Sequence, residues 1–330
     1  MTDGSALPIE PTGPTGPTLL GRFRWAIGKG GIAIPFVIVF VVLGLVSPAF
    51  LRFQNLTNIL DQQAGIIIVA AAGTLVLIAG GIDLSIGALY GLAGATAAQL
   101  AVSFGPAVGI VAALGVGLAA GIVNGVIVTQ FRINPLIGTL AMSFVIGGIG
   151  AIATHGNLVV VLDHPEFQTF ASTKILGISS AAWMMIVVAI AASILLSRTT
   201  FGRYVYATGG NAEAARLGGV RINTVRVATF ALSGMAAALA GTIDASRTLS
   251  AQASAGSFLT FTVLTGIIVG GTSILGGEGS VQRTIVGCLF VALVANGFNL
   301  LGLDPFYQQI TLGVILLLAV GTDAWSRRLD

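Results

Sequence analysis

Ten apolar runs succeed one another along this chain with little between them: residues 31–50, 62–80, 84–102, 107–129, 136–154, 178–197, 227–246, 258–275, 284–301 and 306–324. Each is close to the ~20 residues a helix needs to cross a bilayer. Backbone polar groups in hydrocarbon must be satisfied within their own segment, so each run has to fold as a helix. Only 8% of the 330 residues are charged and 55% are hydrophobic, with a mean hydropathy of +0.98, against about 25% charged in soluble domains. The expected fold class is an all-α polytopic membrane protein of about ten transmembrane helices, and the connections leave no room for a soluble catalytic domain.

Residues 1–30 carry the repeat PTGPTGPT followed by Arg22, Arg24 and Lys29, a composition that reads as a disordered leader. The membrane domain then occupies 31–326, with a polar loop at 198–226 and a short tail at 327–330. An even number of crossings places both termini on one side, and the positive-inside rule makes that side cytoplasmic. Twelve of the 15 basic residues fall there: the three of the leader, Arg132, Arg198, Arg203, Arg216, Arg221, Arg226, Arg283, Arg327 and Arg328. Arg52, Lys174 and Arg247 fall outside. The net charge of +3 thus describes topology and implies no nucleic-acid partner.

The single Cys288 and the two histidines, His155 and His164, supply neither an internal disulfide nor a protein-only metal site. Cys288 reads as a small packing residue. No acid–histidine cluster or Ser/Lys pair stands at helical spacing, so an intramembrane enzyme is not expected and no catalytic residue is assigned. Gly117, Gly121 and Gly125, with Gly87 and Gly91, form small-residue stripes that let backbones approach closely, within one subunit or at a dimer seam. Asp244 and Arg247 are spaced as an exposed i, i+3 ion pair. Gln62, Gln63, Gln308 and Gln309 either line a path or bond between helices.

Three segments interrupt this pattern. GGIDLSIG, 80–87, sets two glycines and an aspartate between runs that would otherwise be continuous. An aspartate at membrane depth costs about 2.5–3.5 kcal/mol, so it must face water, a polar partner or an interface. The spacing predicts that Asp83 N-caps a helix beginning at Leu84, with Ser85 beside it. GGTSILGGEGS, 270–280, is the second such element, containing Thr272 and Ser273. The halves also echo one another through Asn124-Gly125 with Asn134-Pro135, and Asn296-Gly297 with Asp304-Pro305. The fourth and ninth helices that carry these pairs run in opposite directions, which suggests an inverted repeat. Path-lining candidates are therefore Asp83, Ser85, Asn124, Asn134, Thr272, Ser273 and Asn296.

The third is the loop at 198–226. It holds a short helix with its own punctuation: Asn211 as N-cap, Glu213 in the first turn, Arg216 three residues on, then Leu217 and the stop Gly218-Gly219. Two turns are not stable alone in water, so the helix needs a partner surface.

Taken in order, GGIDLSIG, NPLIGTLAM, TGGNAEAARLGGV, GGTSILGGEGS and NGFNLLGLDPFYQQITLGVILLLAV resemble the permease subunits of ribose-type sugar ABC importers, over roughly 35–326. The resemblance implies a bacterial inner-membrane subunit that moves a monosaccharide inward by alternating access and pairs with a second permease. It implies two cytoplasmic ATPases that carry ATP and Mg, and an extracytoplasmic solute-binding protein, with no cofactor on this chain. Asn211, Glu213, Arg216, Leu217 and Gly218 resemble the helix that couples to the ATPase. The segment before Gly270 departs from the family, which carries an acidic helix start where this chain reads SFLTFTVLTGII. Related alternatives are a permease for branched-chain amino acids or another non-sugar solute, and an ion-coupled transporter with Asp83 as its ion site.

Overall fold

The computed structural model describes residues 32–326, with side chains to 321. The expected leader and tail lie outside them. Among the described residues, ten apolar helices occupy the ten runs. They are α1 (Ala33–Val46), α2 (Phe53–Ile78), α3 (Ile86–Phe104), α4 (Pro106–Gln130), α5 (Pro135–Thr154), α7 (Ser180–Arg198), α10 (Ile222–Thr248), α11 (Leu259–Val269), α12 (Val281–Leu300) and α13 (Pro305–Ser326). Seven of them, all but α1, α11 and α13, are long and apolar enough to cross a membrane. The numbering is completed by α6 (Thr169–Ser172), α8 (Thr200–Gly210) and α9 (Ala212–Leu217), and by the two-residue strands β1 (Val159–Val160), β2 (Lys174–Ile175), β3 (Ile178–Ser179) and β4 (Ser250–Ala251).

Two boundaries depart from the sequence expectation. α2 begins at Phe53 rather than at 62, because Ile59 joins Leu43, Phe50, Ala292 and Leu293 in a core of its own and draws a polar-looking turn into the helix. The eighth run yields only the 11 residues of α11, about 16 Å at 1.5 Å per residue. The backbone is irregular on both sides of it, which membranes tolerate where it is buried in protein or lines a cavity.

α2, α3 and α10 form the centre of the bundle, and α4, α5 and α7 its half-exposed rim. The glycine stripe explains why α10 packs so closely on α4. A Cβ at Gly117 would lie 2.5 Å from the Gly234 carbonyl oxygen, one at Gly121 2.9 Å from the Ala231 Cα, and one at Gly125 2.6 Å from the Val227 Cα. This stripe is an intrasubunit seam. Gly87 and Gly91 likewise face the 253–256 linker, and Cys288 packs on Gly266.

At one end of the bundle stand the last turn of α2, the start of α10, α8, α9 and the start of α12, and with them Arg198, Arg203, Arg216, Arg221, Arg226 and Arg283. The other end is closed by residues 155–179. β1 pairs antiparallel with β4, and β2 with β3. Ser246 Oγ donates to the Phe167 carbonyl and accepts from Ala171 N, pinning this layer to the end of α10. Arg247 does not form the expected pair with Asp244. Its guanidinium donates to the Asp61 carbonyl, 2.8 Å away, whereas Asp244 faces the Tyr90 hydroxyl.

Candidate functional site

The first break is built by glycine. α2 stops at Ile78 because Gly80 adopts φ 77°, letting Gly81 N bond the Val76 carbonyl and Gly80 N the Leu77 carbonyl, the Schellman closure. Asp83 does not cap a helix at Leu84. Its Oδ1 accepts from Ser85 N (3.0 Å) and Ser85 Oγ (2.6 Å), and α3 starts only at Ile86. The reason is local competition: this Asx turn offers the backbone a satisfied alternative to the first helical turn. Asp83 Oδ2 accepts from Ser233 Oγ of α10 (2.9 Å), and Asn124 Nδ2 of α4 donates to Ser85 Oγ (2.7 Å). All four side chains are buried. Three donors around one carboxylate are what a buried charge requires. Asn124 Oδ1 has no partner. The exposed backbone of the break is satisfied by α5, whose Thr139 hydroxyl accepts from Leu84 N at 3.0 Å and lies 3.1 Å from the Ile82 carbonyl oxygen.

The second break closes in the same way. α11 ends at Val269, Gly271 takes φ 82°, and Thr272 N and Gly271 N bond the Ile267 and Ile268 carbonyls. Thr272 Oγ1 is 3.5 Å from Thr284 Oγ1, which is 2.8 Å from Thr74 Oγ1 of α2. Ser273 Oγ accepts from Leu275 N, and its backbone N–H donates to the Glu278 carbonyl. The two breaks touch, since Gly277 N donates to the Ile78 carbonyl at 2.9 Å. An inverted repeat would set these elements at opposite ends of the bundle, so the repeat does not extend to them, although α4 and α12 do run in opposite directions.

The remaining two path candidates lie elsewhere. Asn134 is exposed and caps α5 by accepting from Leu136 N. Asn296 forms a reciprocal amide pair with Asn55 of α2, at 3.0 and 3.2 Å. The polar loop contains two helices rather than one. α8, capped by Thr199, leads directly into α9, where Asn211 Oδ1 accepts from Ala214 N. Two Arg216–Glu213 hydrogen bonds hold the Glu213 carboxyl below its usual range. Val220 N and Gly219 N close the end onto the Ala215 and Arg216 carbonyls. Leu217 is exposed and Gly218 is the C-cap. The sequence singled out neither Tyr206, whose hydroxyl donates to the Gly279 carbonyl (2.8 Å), nor the bond from Arg226 to the Ala79 carbonyl (3.4 Å).

A cavity of about 440 Å³ opens on one flank. It is lined by Leu84, Gly87 and Ala88 at the start of α3, by Leu140, Ser143, Phe144 and Gly147 of α5, by Gln252, Ser254 and Ser257 of the linker, and by Thr260 and Phe261 of α11. None of the seven path candidates lines it. Asp83, Ser85 and Asn124 stand behind its α3 wall and hold that wall in place. The lining residues Ser143, Gln252 and Ser257 are ordinary polar residues in sequence, and only the fold brings them together. No charged side chain is in the lining.

Residues 55–320 match the family model described as "Branched-chain amino acid transport system / permease component". The chain belongs to this permease family. It is 37% identical over 294 residues to the ribose import permease protein RbsC of Escherichia coli (strain K12), covering 88% of this chain and 92% of that one. It is 36% identical over 304 residues to the protein of the same name from Bacillus subtilis (strain 168), covering 92% and 94%. It is 31% identical over 326 residues to the fructose import permease protein FrcC of Rhizobium meliloti, covering 94% and 90%. No solved structure matches it. The permease therefore spans nearly the whole length of each relative.

Proposed function

We propose that this permease is the membrane subunit of an ATP-driven importer that moves a monosaccharide into the cell. The observation that carries the substrate class is the uncharged cavity: hydroxyls and an amide beside the Phe144 and Phe261 rings suit a neutral polyol, at a volume within the ~300–1,000 Å³ of small-molecule sites. A zwitterionic amino acid would call for charged partners, so the amino-acid description of the family finds no support in the lining. The near full-length similarity to permeases named for ribose and fructose import supports the same reading. Asp83 is outside the lining and spends its oxygens on Ser85 and Ser233, so nothing favours an ion-coupled mechanism.

The cavity is open toward the flank and is half of a path. A second permease across a two-fold axis completes it, and the pair alternates between outward and inward access. The basic end, with α9, is cytoplasmic and both termini lie there. Each α9 docks on one ATPase, which binds ATP and Mg, and a solute-binding protein meets the opposite end. Uptake in a strain lacking the gene tests the reading. Radiolabelled ribose or fructose uptake should fall and return with the plasmid-borne chain, and should not return with Ser257→Trp, which fills the cavity. Loss of leucine uptake in place of sugar uptake would overturn it. An ATPase should copurify with the wild-type chain from its native membrane and be lost with Glu213→Lys.

A further inference from the structure

The last turn of α8 is wedged where the two breaks meet. A Cβ on Gly209 would overlap the Ile78 carbonyl oxygen and lie 2.6 Å from Gly277 N, the two atoms whose hydrogen bond ties one break to the other. On the next residue, a Cβ at Gly277 would lie 2.8 Å from the Gly210 Cα, and a Cβ at Gly276 2.9 Å from the Gly80 Cα. Backbone thus meets backbone among three segments far apart in sequence, with no side chain between to absorb displacement. Two bonds tie the same loop to the breaks: Tyr206 Oη to the Gly279 carbonyl and Arg226 Nε to the Ala79 carbonyl. Gly210 connects this turn to α9 without an intervening loop.

Beyond the breaks lie two walls of the cavity. The first break runs straight into Leu84, Gly87 and Ala88, and the second ends α11, whose other end carries Thr260 and Phe261. The walls are joined to each other, since Gly87 N donates to Thr260 Oγ1 at 3.1 Å. Thr208, in the wedged turn, is buried with its hydroxyl unpartnered.

We propose that the turn of α8 centred on Gly209 is the relay through which displacement of α9 reaches both helix breaks at once and resets the cavity between α3, α5 and α11. The relay rests on the reading of α9 as the ATPase-docking helix. Coupling needs a contiguous element that has two arrangements and that both sites bias, and close-packed backbone passes on a shift instead of deforming. Gly209 is a positioning residue: it touches no substrate and acts through α3 and α11.

The test uses the permease–ATPase complex in lipid vesicles with a thiol reporter, Ser257→Cys, in the cavity. The native thiol, Cys288, is buried and silent to a polar maleimide. In the wild-type background, ATP with vanadate should change the labelling rate of the reporter by about 5-fold or more, the lower end of allosteric coupling. Gly210→Ala, whose Cβ meets nothing within 4 Å, should leave that response intact. Gly209→Ala should keep the ATPase bound and lose the response, and Tyr206→Phe, which adds no atom to the junction, should reduce it. A wild-type response in Gly209→Ala overturns the relay. If Gly209→Ala does not assemble, Tyr206→Phe decides, and an unchanged response there overturns the relay. An ATPase missing from the wild-type complex would instead remove the docking reading beneath it.

Discussion

Asp83 shows how one residue can be singled out correctly for a role it fills differently. Its cost at membrane depth marks it in the sequence, but of the partners that offset this cost Ser233 lies on another helix, and a serine in an apolar helix carries no signal of its own. Asp83→Ala removes the acceptor for three donors and leaves Ser85 and Ser233 buried without it. Unsatisfied buried groups cost about 1–3 kcal/mol each, so the midpoint of thermal unfolding in detergent should fall clearly and uptake with it. Asp83→Asn keeps an oxygen for Ser85, and Ser233 can rotate its hydroxyl to accept, so its midpoint should stay closer to wild type. Ser233→Ala, which leaves the buried Asp83 Oδ2 without its donor, should cost about 1–3 kcal/mol. Equal losses in Asp83→Ala and Asp83→Asn would point instead to the negative charge itself.

At the scale of elements, the ten helices were legible because a ~20-residue apolar run has one satisfied conformation in lipid. Both glycine breaks and the capped α9 were legible for a similar reason: Gly-Gly after an apolar helix and Asn-x-Glu before a short one are local grammar. What could not be read was anything decided by contact between distant segments. The second break folds back onto the first, α8 ends in the junction between them, and the cavity is assembled from α3, α5, α11 and a linker that falls between two apolar runs. The stripe on α4 had two possible partners in sequence, a helix of the same chain or of another, and α10 takes it. Gly121→Val would drive a branched side chain into the α10 backbone, where only a small residue fits. It should abolish recovery of a monodisperse peak in size-exclusion chromatography. Gly115→Ala on the same helix meets nothing within 4 Å and should be recovered as wild type.

For the molecule as a whole, charge and packing give the same account of its two ends. Arg198, Arg203, Arg216, Arg221 and Arg226, which the positive-inside rule assigns to one side, lie from the end of α7 through α8 and α9 to the start of α10, while Arg52 precedes α2 at its opposite end and Arg247 bonds Asp61 there. The end holding α9 has its helices joined by short capped turns and backbone contacts. The other end has the β1–β4 pair, the β2–β3 hairpin and a 3-10 turn clamped to α10 through Ser246. If the α9 end is cytoplasmic, a thiol at Leu217 is reached only from inside the cell and one at Leu162 only from outside. Both side chains are strongly exposed, at 77% and 75%, and buried Cys288 contributes no background. In intact cells, a membrane-impermeant maleimide should label Leu162→Cys and spare Leu217→Cys until the membrane is permeabilised. The reverse pattern would put α9 outside, beyond the reach of any cytoplasmic ATPase, and would leave the relay at Gly209 with nothing to drive it.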